Sequence, residues 1–154
     1  MTDRCWERKV DAARGARKAG TVIGVRAPRA PSQSVRDAAD ALLVAEGYAS
    51  LGDRWIEVDP DTAEQTWLHL LCTELSTERA VMDRGDAQRV ARPLLADLPS
   101  ATSLTNGTWV AGAIALGAGT RIGPFWTPVT SGDFDGGIVA VSSSTVTLLW
   151  VIDE

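Results

Sequence analysis

The sequence predicts an α+β fold in which helices come first and an antiparallel β-meander comes last. Between residues 35 and 98, apolar residues recur at intervals of three and four, the spacing of one helix face. Beyond Pro99 the chain changes to short runs rich in Val, Ile, Thr and Trp, separated by Gly, Pro, Asn and Ser. This order favours about three helices, one short strand near residues 54–58 and about four C-terminal strands.

The first 33 residues differ in composition from the rest of the chain. Residues 11–33 are small and basic, and they are interrupted by Gly15, Gly20, Gly24, Pro28 and Pro31. A segment of this kind carries little apolar surface to bury. We therefore expect residues 1–33 to form a basic arm or linker, flexible or loosely attached, that adds little to stability. Residues 34–154 are expected to form one acidic α+β domain.

The first helix is predicted to begin after Ser34 and to end before Gly47. Ser34 followed by Asp37 has the form of a capping box, which satisfies free backbone N–H groups at a helix start. Its apolar face consists of Val35, Ala38, Leu42 and Ala45. Gly47 suits the position after the helix, where the left-handed conformation is common.

A short strand and a second helix are predicted to follow. Residues 54–58 alternate polar and apolar side chains, as a half-buried strand does. Asp59 then suits the N-cap, and Pro60 the first helical position, where its missing N–H costs nothing. The apolar face of this helix consists of Ala63, Trp67, Leu70, Leu71 and Leu75.

A third helix is predicted to open at Ser76 or Thr77. Its apolar stripe consists of Ala87, Val90, Ala91, Leu94, Leu95 and Leu98. Gly85 weakens its middle and Pro93 removes a backbone hydrogen bond, so we expect a break or kink between residues 85 and 93.

The C-terminal strands are predicted at four runs of β-forming residues. These runs are residues 108–116, 125–130, 138–141 and 145–152. Residues 142–144 are short enough to join the last two strands as a hairpin. The four runs therefore predict an antiparallel meander.

Charge is distributed unevenly, and the composition excludes several classes of protein. Residues 1–36 hold nine Arg and Lys against three Asp and Glu, a formal charge of +6, whereas the remainder holds six against seventeen, or −11. No apolar run approaches the ~20 residues of a membrane span, and no signal-peptide pattern is present, so we expect a cytoplasmic protein. Two Cys and one His cannot supply the four clustered ligands of a structural zinc site. We expect neither a metal nor a cofactor.

Two candidate catalytic features have simpler explanations. His69 stands three residues before Cys72, but a helical wheel places it away from the apolar face of its helix. We therefore expect His69 to face solvent rather than a pocket. The glycines of residues 112–123 miss the dinucleotide-binding spacing, and this favours a flexible connection over a nucleotide loop. The sequence predicts no catalytic residue.

Four residues are candidates for binding. Asp133 and Asp135 flank a turn, and their carboxylates suit a hard cation, although the further ligands of a calcium loop are absent. Trp109 and Trp126 flank the Gly-rich stretch and are expected to be partly exposed, where tryptophan is enriched at binding hot spots. The candidate binding site therefore consists of Trp109, Trp126, Asp133 and Asp135. The tryptophans expected in the core are Trp55, Trp67 and Trp150.

Four short motifs together resemble a pattern that recurs in small uncharacterised bacterial proteins. They are TNG followed by Trp109, WTPVT at residues 126–130, DFDGG at 133–137 and LLWVIDE at 148–154. The similarity spans roughly residues 37–154 and omits the arm. The resemblance implies a bacterial, intracellular setting and treatment of residues 37–154 as one unit. It implies no activity and no functional residue.

The acidic body and the candidate exposed tryptophans predict a non-enzymatic intracellular protein-binding domain. Its most concrete version is an immunity or antitoxin-like inhibitor of a basic partner, since an acidic surface steers association with basic proteins. The first alternative is a small enzyme or small-molecule binder that uses the region of Trp109, Trp126, Asp133 and Asp135. The second is a nucleic-acid-associated factor that acts through the basic arm.

Overall fold

The computed structural model describes residues 3–110, 125–131 and 134–154. Within these residues the chain forms four α-helices and five strands. The helices are α1 (Arg4–Ala16), α2 (Val35–Ala45), α3 (Pro60–Cys72) and α4 (Arg84–Ala91). The strands are β1 (Thr21–Pro28), β2 (Ile56–Val58), β3 (Thr102–Thr105), β4 (Phe134–Val141) and β5 (Thr145–Asp153). The predicted α+β class is confirmed, although the elements are distributed differently along the chain.

The described strands form one antiparallel sheet with the order β1-β5-β4-β3-β2. Strands β2 to β5 are neighbours in chain order, so they form a meander, and residues 142–144 join β4 to β5 as the predicted hairpin. Strand β1 pairs with β5 along its whole length, with Thr21 opposite Ile152 and Pro28 opposite Thr145. The first strand in sequence therefore lies at the sheet edge beside the last one.

The N-terminal segment is part of the folded structure, and the prediction of an arm is wrong for residues 4–28. Asp3 caps α1 by accepting hydrogen bonds from the N–H groups of Cys5 and Trp6. Trp6 and Val10 of α1 and Val22 of β1 are buried in the core. The composition of residues 1–33 does not reveal this helix, because its buried face consists of only a few apolar residues. The i, i+4 spacing of Trp6 and Val10 was the signal that indicated it.

The two faces of the sheet carry separate parts of the core. On one face α1 and α3 cover the sheet, with α4 packed against these two helices, and Trp67 packs there with Ile138 and Leu149. On the other face α2 packs against Val139 and Leu148. Neighbouring residues of β4 and β5 point to opposite faces, so their doubly buried central parts, residues 138–141 and 148–151, are apolar on both sides. The predicted burial of Trp55, Trp67 and Trp150 is confirmed.

The helix starts follow the predicted capping residues in two cases of three. The hydroxyl of Ser34 accepts from the N–H of Asp37 at α2, and Asp59 accepts from the N–H of Thr62 at α3. The third helix is different, because α4 begins only after Asp83 and residues 73–80 form a turn closed by a Thr73–Ala80 bridge. The predicted break is confirmed: α4 ends at Ala91 and Arg92–Leu94 is a 3-10 turn.

The C-terminal strands differ from prediction in position. Residues 108–110 and 125–130 form no strand, residues 111–116 lie outside the described residues, and one isolated bridge joins Gly107 to Trp126. Strand β4 begins at Phe134, before the predicted residue 138, and β3 was not predicted. Side-chain acceptors explain the irregular segment, because the N–H groups of Val129 and Thr130 bond to the carboxylate of Asp135. A run of β-forming residues cannot show that a side-chain acceptor competes with strand pairing for these N–H groups.

In the described part of the chain, none of the helices has the length and apolar character needed to cross a membrane.

Candidate functional site

A cavity of about 540 Å³ opens between α3 and the segments that precede and begin β4. One side consists of Trp109, Trp126 and Phe134, which we call the aromatic wall. The other side consists of His69 at the end of α3, Thr73 and residues 75–78. We call residues 73–78 the polar turn and the whole cavity the aromatic groove. It brings together two of the four predicted site residues, Trp109 and Trp126.

The aromatic wall is a row of three rings in contact. The rings of Trp109 and Trp126 are stacked, with centroids 5.4 Å apart and planes 29° apart. The ring of Phe134 follows, with its centroid 5.8 Å from that of Trp126. Trp109 is buried, whereas Trp126 and Phe134 are half-buried. Gly136 permits this packing, since a Cβ there would lie 2.5 Å from Cζ2 of Trp109.

Asn106 holds the aromatic wall in place. The indole N–H of Trp109 donates to Oδ1 of Asn106 at 3.1 Å. The Asn106 amide donates in turn to the carbonyl oxygens of Thr127 and Asp135, at 3.0 and 3.1 Å. The Asn106 side chain thus fixes Trp109, strand β4 and the segment that carries Trp126.

Asp135 supports this arrangement from inside the protein. It is fully buried, and its carboxylate accepts from the N–H groups of Val129 and Thr130, at 3.0 and 3.1 Å. It also accepts from the Thr130 hydroxyl at 2.6 Å and from the indole N–H of Trp150 at 3.1 Å. Its oxygen atoms are therefore occupied by neutral donors. Asp135 lies behind the wall, and Asp133 lies outside the described residues.

The polar turn presents hydroxyl groups and one carboxylate to the groove. Its backbone is closed by hydrogen bonds from Glu74 N to Arg79 O and from Glu78 N to Glu74 O, both 2.8 Å. Glu78 has a φ of 58°, in the left-handed region that a non-glycine residue adopts rarely. Its side chain is exposed, and among the described residues it forms no ion pair. Glu78 therefore offers an unneutralised negative charge at the rim.

A buried ion pair lies behind the polar turn, and sequence reasoning missed it. The Arg17 guanidinium donates to both carboxylate oxygens of Asp153, at 2.6 and 2.7 Å, and the two side chains are 0% and 2% exposed. Arg17 also donates to the carbonyl oxygens of Leu70 and Thr73, while Asp153 accepts from the N–H of Leu75. The pair therefore fixes the end of α3 and the base of the turn.

His69 lines the groove, so the prediction that it faces solvent is wrong. The helical wheel identified the buried face of α3 correctly, but residues 73–78 and the aromatic wall flank the opposite face, which a wheel cannot show. Burial lowers the pKa of His69, the nearby Arg84 lowers it further, and Glu78 opposes both effects. The imidazole is therefore neutral at pH 7 and adds no positive charge to the groove.

The described residues show no arrangement typical of a metal centre or a thiol nucleophile. No group of three or more His, Cys, Asp or Glu side chains among them is placed to hold a metal ion. Burial raises the pKa of the Cys72 thiol, which keeps this side chain protonated at neutral pH. The lining of the groove thus consists of aromatic rings, hydroxyl groups, a neutral imidazole and one exposed carboxylate.

Searches against known proteins found no matching family model, no similar curated protein and no similar solved structure.

Proposed function

We propose that the chain is a non-enzymatic protein-binding domain whose basic partner docks at the aromatic groove. The observation that carries this proposal is the stacked pair Trp109–Trp126 in one groove with Glu78, whose carboxylate forms no ion pair among the described residues. Half-buried aromatic side chains are the usual anchors of protein interfaces, because they bury a large area with few rotatable bonds. An anchor of this kind with a charged rim suits a protein partner.

The charge of the chain supports a basic partner. Residues 37–154 carry a formal charge of −11, and a field of this sign accelerates encounter with cationic proteins. The concrete version of the proposal is a bacterial, cytoplasmic inhibitor of the immunity or antitoxin kind. Its action would be to cover a functional surface of a basic toxin rather than to transform a substrate.

A small-molecule binder is the second candidate, and the size of the cavity favours it. A volume of about 540 Å³ lies within the range of ligand pockets, roughly 300–1,000 Å³. The two candidates differ in the area that the ligand covers. A small molecule protects only the lining residues from hydrogen exchange, whereas a docked protein protects neighbouring surface as well.

Several of the nine basic residues in segment 1–36 are engaged within the fold, which weakens the support for nucleic-acid binding. Arg17 is buried, and Arg14 donates to the carbonyl oxygen of Val22. Arg26 lies over the ring of Trp6 and forms an ion pair with Asp97. Because these guanidinium groups are engaged within the molecule, they are not freely available to phosphates. We therefore do not extend the proposal to nucleic acid.

The proposal is tested by affinity capture from the native host with the full chain as bait. The captured protein is then titrated against the parent chain and against Trp126→Ala. We expect Trp126→Ala to weaken binding by about 30-fold, since loss of a hot-spot anchor costs about 2 kcal/mol or more. Circular dichroism checks that the variant is folded.

Val44→Ala is the matched control. Val44 is a large apolar side chain that is 58% exposed on α2, on the other face of the sheet. We expect this variant to bind within about twofold of the parent chain, because isolated surface substitutions have small effects. If Trp126→Ala and Val44→Ala both bind as the parent does, the partner docks elsewhere and the proposal is wrong.

A further inference from the structure

We infer that the aromatic groove takes the guanidinium group of an arginine side chain, held between the aromatic wall and the carboxylate of Glu78. The inference rests on the proposed function and deepens it, because it names the chemical group of the partner that enters the groove. Three features of the groove support it: the aromatic lining, the carboxylate on the opposite side and, among the described residues, the lack of a competing cation.

The aromatic wall suits a planar cation. The face of an indole ring carries negative potential, and tryptophan is the strongest of the aromatic side chains in attracting cations. Two indole rings and a phenyl ring, packed against one another, line one side of the groove with aromatic surface. A guanidinium group stacks on such a surface better than an ammonium group, because it is planar and more weakly hydrated. The alkyl stem of an arginine also covers apolar area.

The polar turn supplies the opposite charge and hydrogen-bond acceptors. Glu78 lines the groove, and its carboxylate lacks an ion-pair partner among the described residues. The hydroxyl groups of Thr73, Ser76 and Thr77 line the same side and are able to accept hydrogen bonds. An arginine carries five N–H donors in a fixed plane, and several acceptors on one wall suit that geometry.

The cationic side chains that the structure describes near the groove do not fill it. Arg84 acts on His69, yet its guanidinium donates to Oε1 of Gln65 at 2.5 Å and does not line the groove. Arg79 donates to Glu74 on the outer side of the turn. His69 is neutral at pH 7 and is able to accept a hydrogen bond through its unprotonated nitrogen. Among the described residues, negative charge therefore prevails at the rim.

The test uses three capped amino acids as probes of the full chain: N-acetyl-arginine amide, N-acetyl-citrulline amide and N-acetyl-lysine amide. Citrulline has nearly the shape of arginine but no charge. Binding is followed by NMR titration of the tryptophan indole N–H signals, with the Trp126 signal assigned by its loss in Trp126→Phe. We expect the arginine probe to shift that signal and to bind about tenfold more tightly than citrulline.

The protein variants separate charge from shape. Glu78→Gln should weaken the arginine probe about fivefold and leave citrulline unchanged, because only the cation uses the carboxylate. Glu46→Gln is the matched control, since it removes an exposed carboxylate at the end of α2, and it should change neither affinity. Binding of the arginine probe should also weaken as salt is added.

Three outcomes would overturn the inference. The first is that citrulline binds as tightly as arginine, and the second is that lysine does. The third is that the arginine probe leaves the Trp126 signal unchanged at every concentration up to its solubility limit. Any one of these outcomes removes the guanidinium assignment. The proposed function is judged separately by capture of the partner with and without Trp126→Ala. If binding of the partner depends on Trp126 but the arginine and citrulline probes bind equally, the proposed protein-binding function is retained and only the arginine ligand is refuted.

Discussion

The two walls of the groove rest on two buried carboxylates that are stabilised in opposite ways. Asp153 and Asp135 occupy neighbouring positions of β5 and β4, since Asp153 lies opposite Phe134 and Asp135 opposite Ile152. Asp153, behind the polar turn, is neutralised by the guanidinium of Arg17. Asp135, behind the aromatic wall, is surrounded by N–H and O–H donors and, among the described residues, has no cationic partner.

The difference shows how each wall depends on the rest of the molecule. The ion pair joins residues 136 positions apart, so the polar turn is fixed only when α1, the end of α3 and β5 are all in place. The donors to Asp135 come largely from the nearby segment at residues 129–130. The polar turn therefore depends on the global fold, whereas the aromatic wall is built from more local contacts.

Arg17→Met is expected to have the largest effect. It keeps much of the apolar stem but leaves Asp153 as a buried carboxylate without its counter-charge, and breaking a buried pair in this way costs about 3–5 kcal/mol. Urea unfolding measures the loss. Arg89→Met, in an exposed pair with Asp86, should change the free energy of unfolding by less than about 1 kcal/mol. Equal losses of unfolding free energy in the two variants would show that the buried pair contributes no more to stability than the exposed pair.

Asp135→Asn is expected to have an intermediate effect. The amide keeps the shape but turns one acceptor into a donor that faces other donors, so we expect a loss of about 2–3 kcal/mol. The indole N–H signals of Trp150 and Trp109 should move, whereas Leu75 should keep its N–H bond to Asp153. Asp53→Asn, at an exposed position of the 3-10 turn Gly52–Arg54, is the control. If Asp135→Asn lowers the free energy of unfolding more than Arg17→Met does, Asp135 contributes more to stability than the buried ion pair, contrary to this expectation.

The smallest effect concerns His69, which lines the groove beside the polar turn. Its pKa is lowered from 6.5 in the folded state, so the unfolded chain takes up the proton first as pH falls. The stability that depends on neutral His69 is therefore complete above pH 6.5 and is lost as pH falls toward the lowered value. Thermal unfolding of the parent and of His69→Gln, at about pH 7.5 and about pH 5.5, measures this. If the melting temperature falls equally in both proteins between these two pH values, the loss of stability does not come from His69.

Local signals predicted the elements whose stabilising contacts are local. Ser34 and Asp59 mark the starts of α2 and α3 because an N-cap bonds to a backbone group only three residues away. The core position of Trp67 followed from helical spacing within α3. The position of Trp109 and Trp126 on either side of one connection also suggested that they act together, and the structure stacks them.

The remaining features depend on contacts between residues far apart in sequence. Arg17 looked like one more charge of a basic arm, because nothing near it indicates the carboxylate of Asp153. Glu78 and His69 reach the groove only because the chain turns after α3 and meets the aromatic wall. Asp135 was predicted as a candidate binding residue because its motif resembles an exposed turn, yet it lies in a buried strand, one residue after its start.

The pairing of β1 with β5 has a consequence for the synthesis of the protein. Because chains are made from the N-terminus at about 5–20 residues per second, α1 and β1 emerge several seconds before the strand that will hold them. Until β5 follows, β1 has no partner in its native register and Arg17 has no carboxylate to meet. The basic N-terminal segment is thus made well before β5, and it reaches its final place only after β5 has followed.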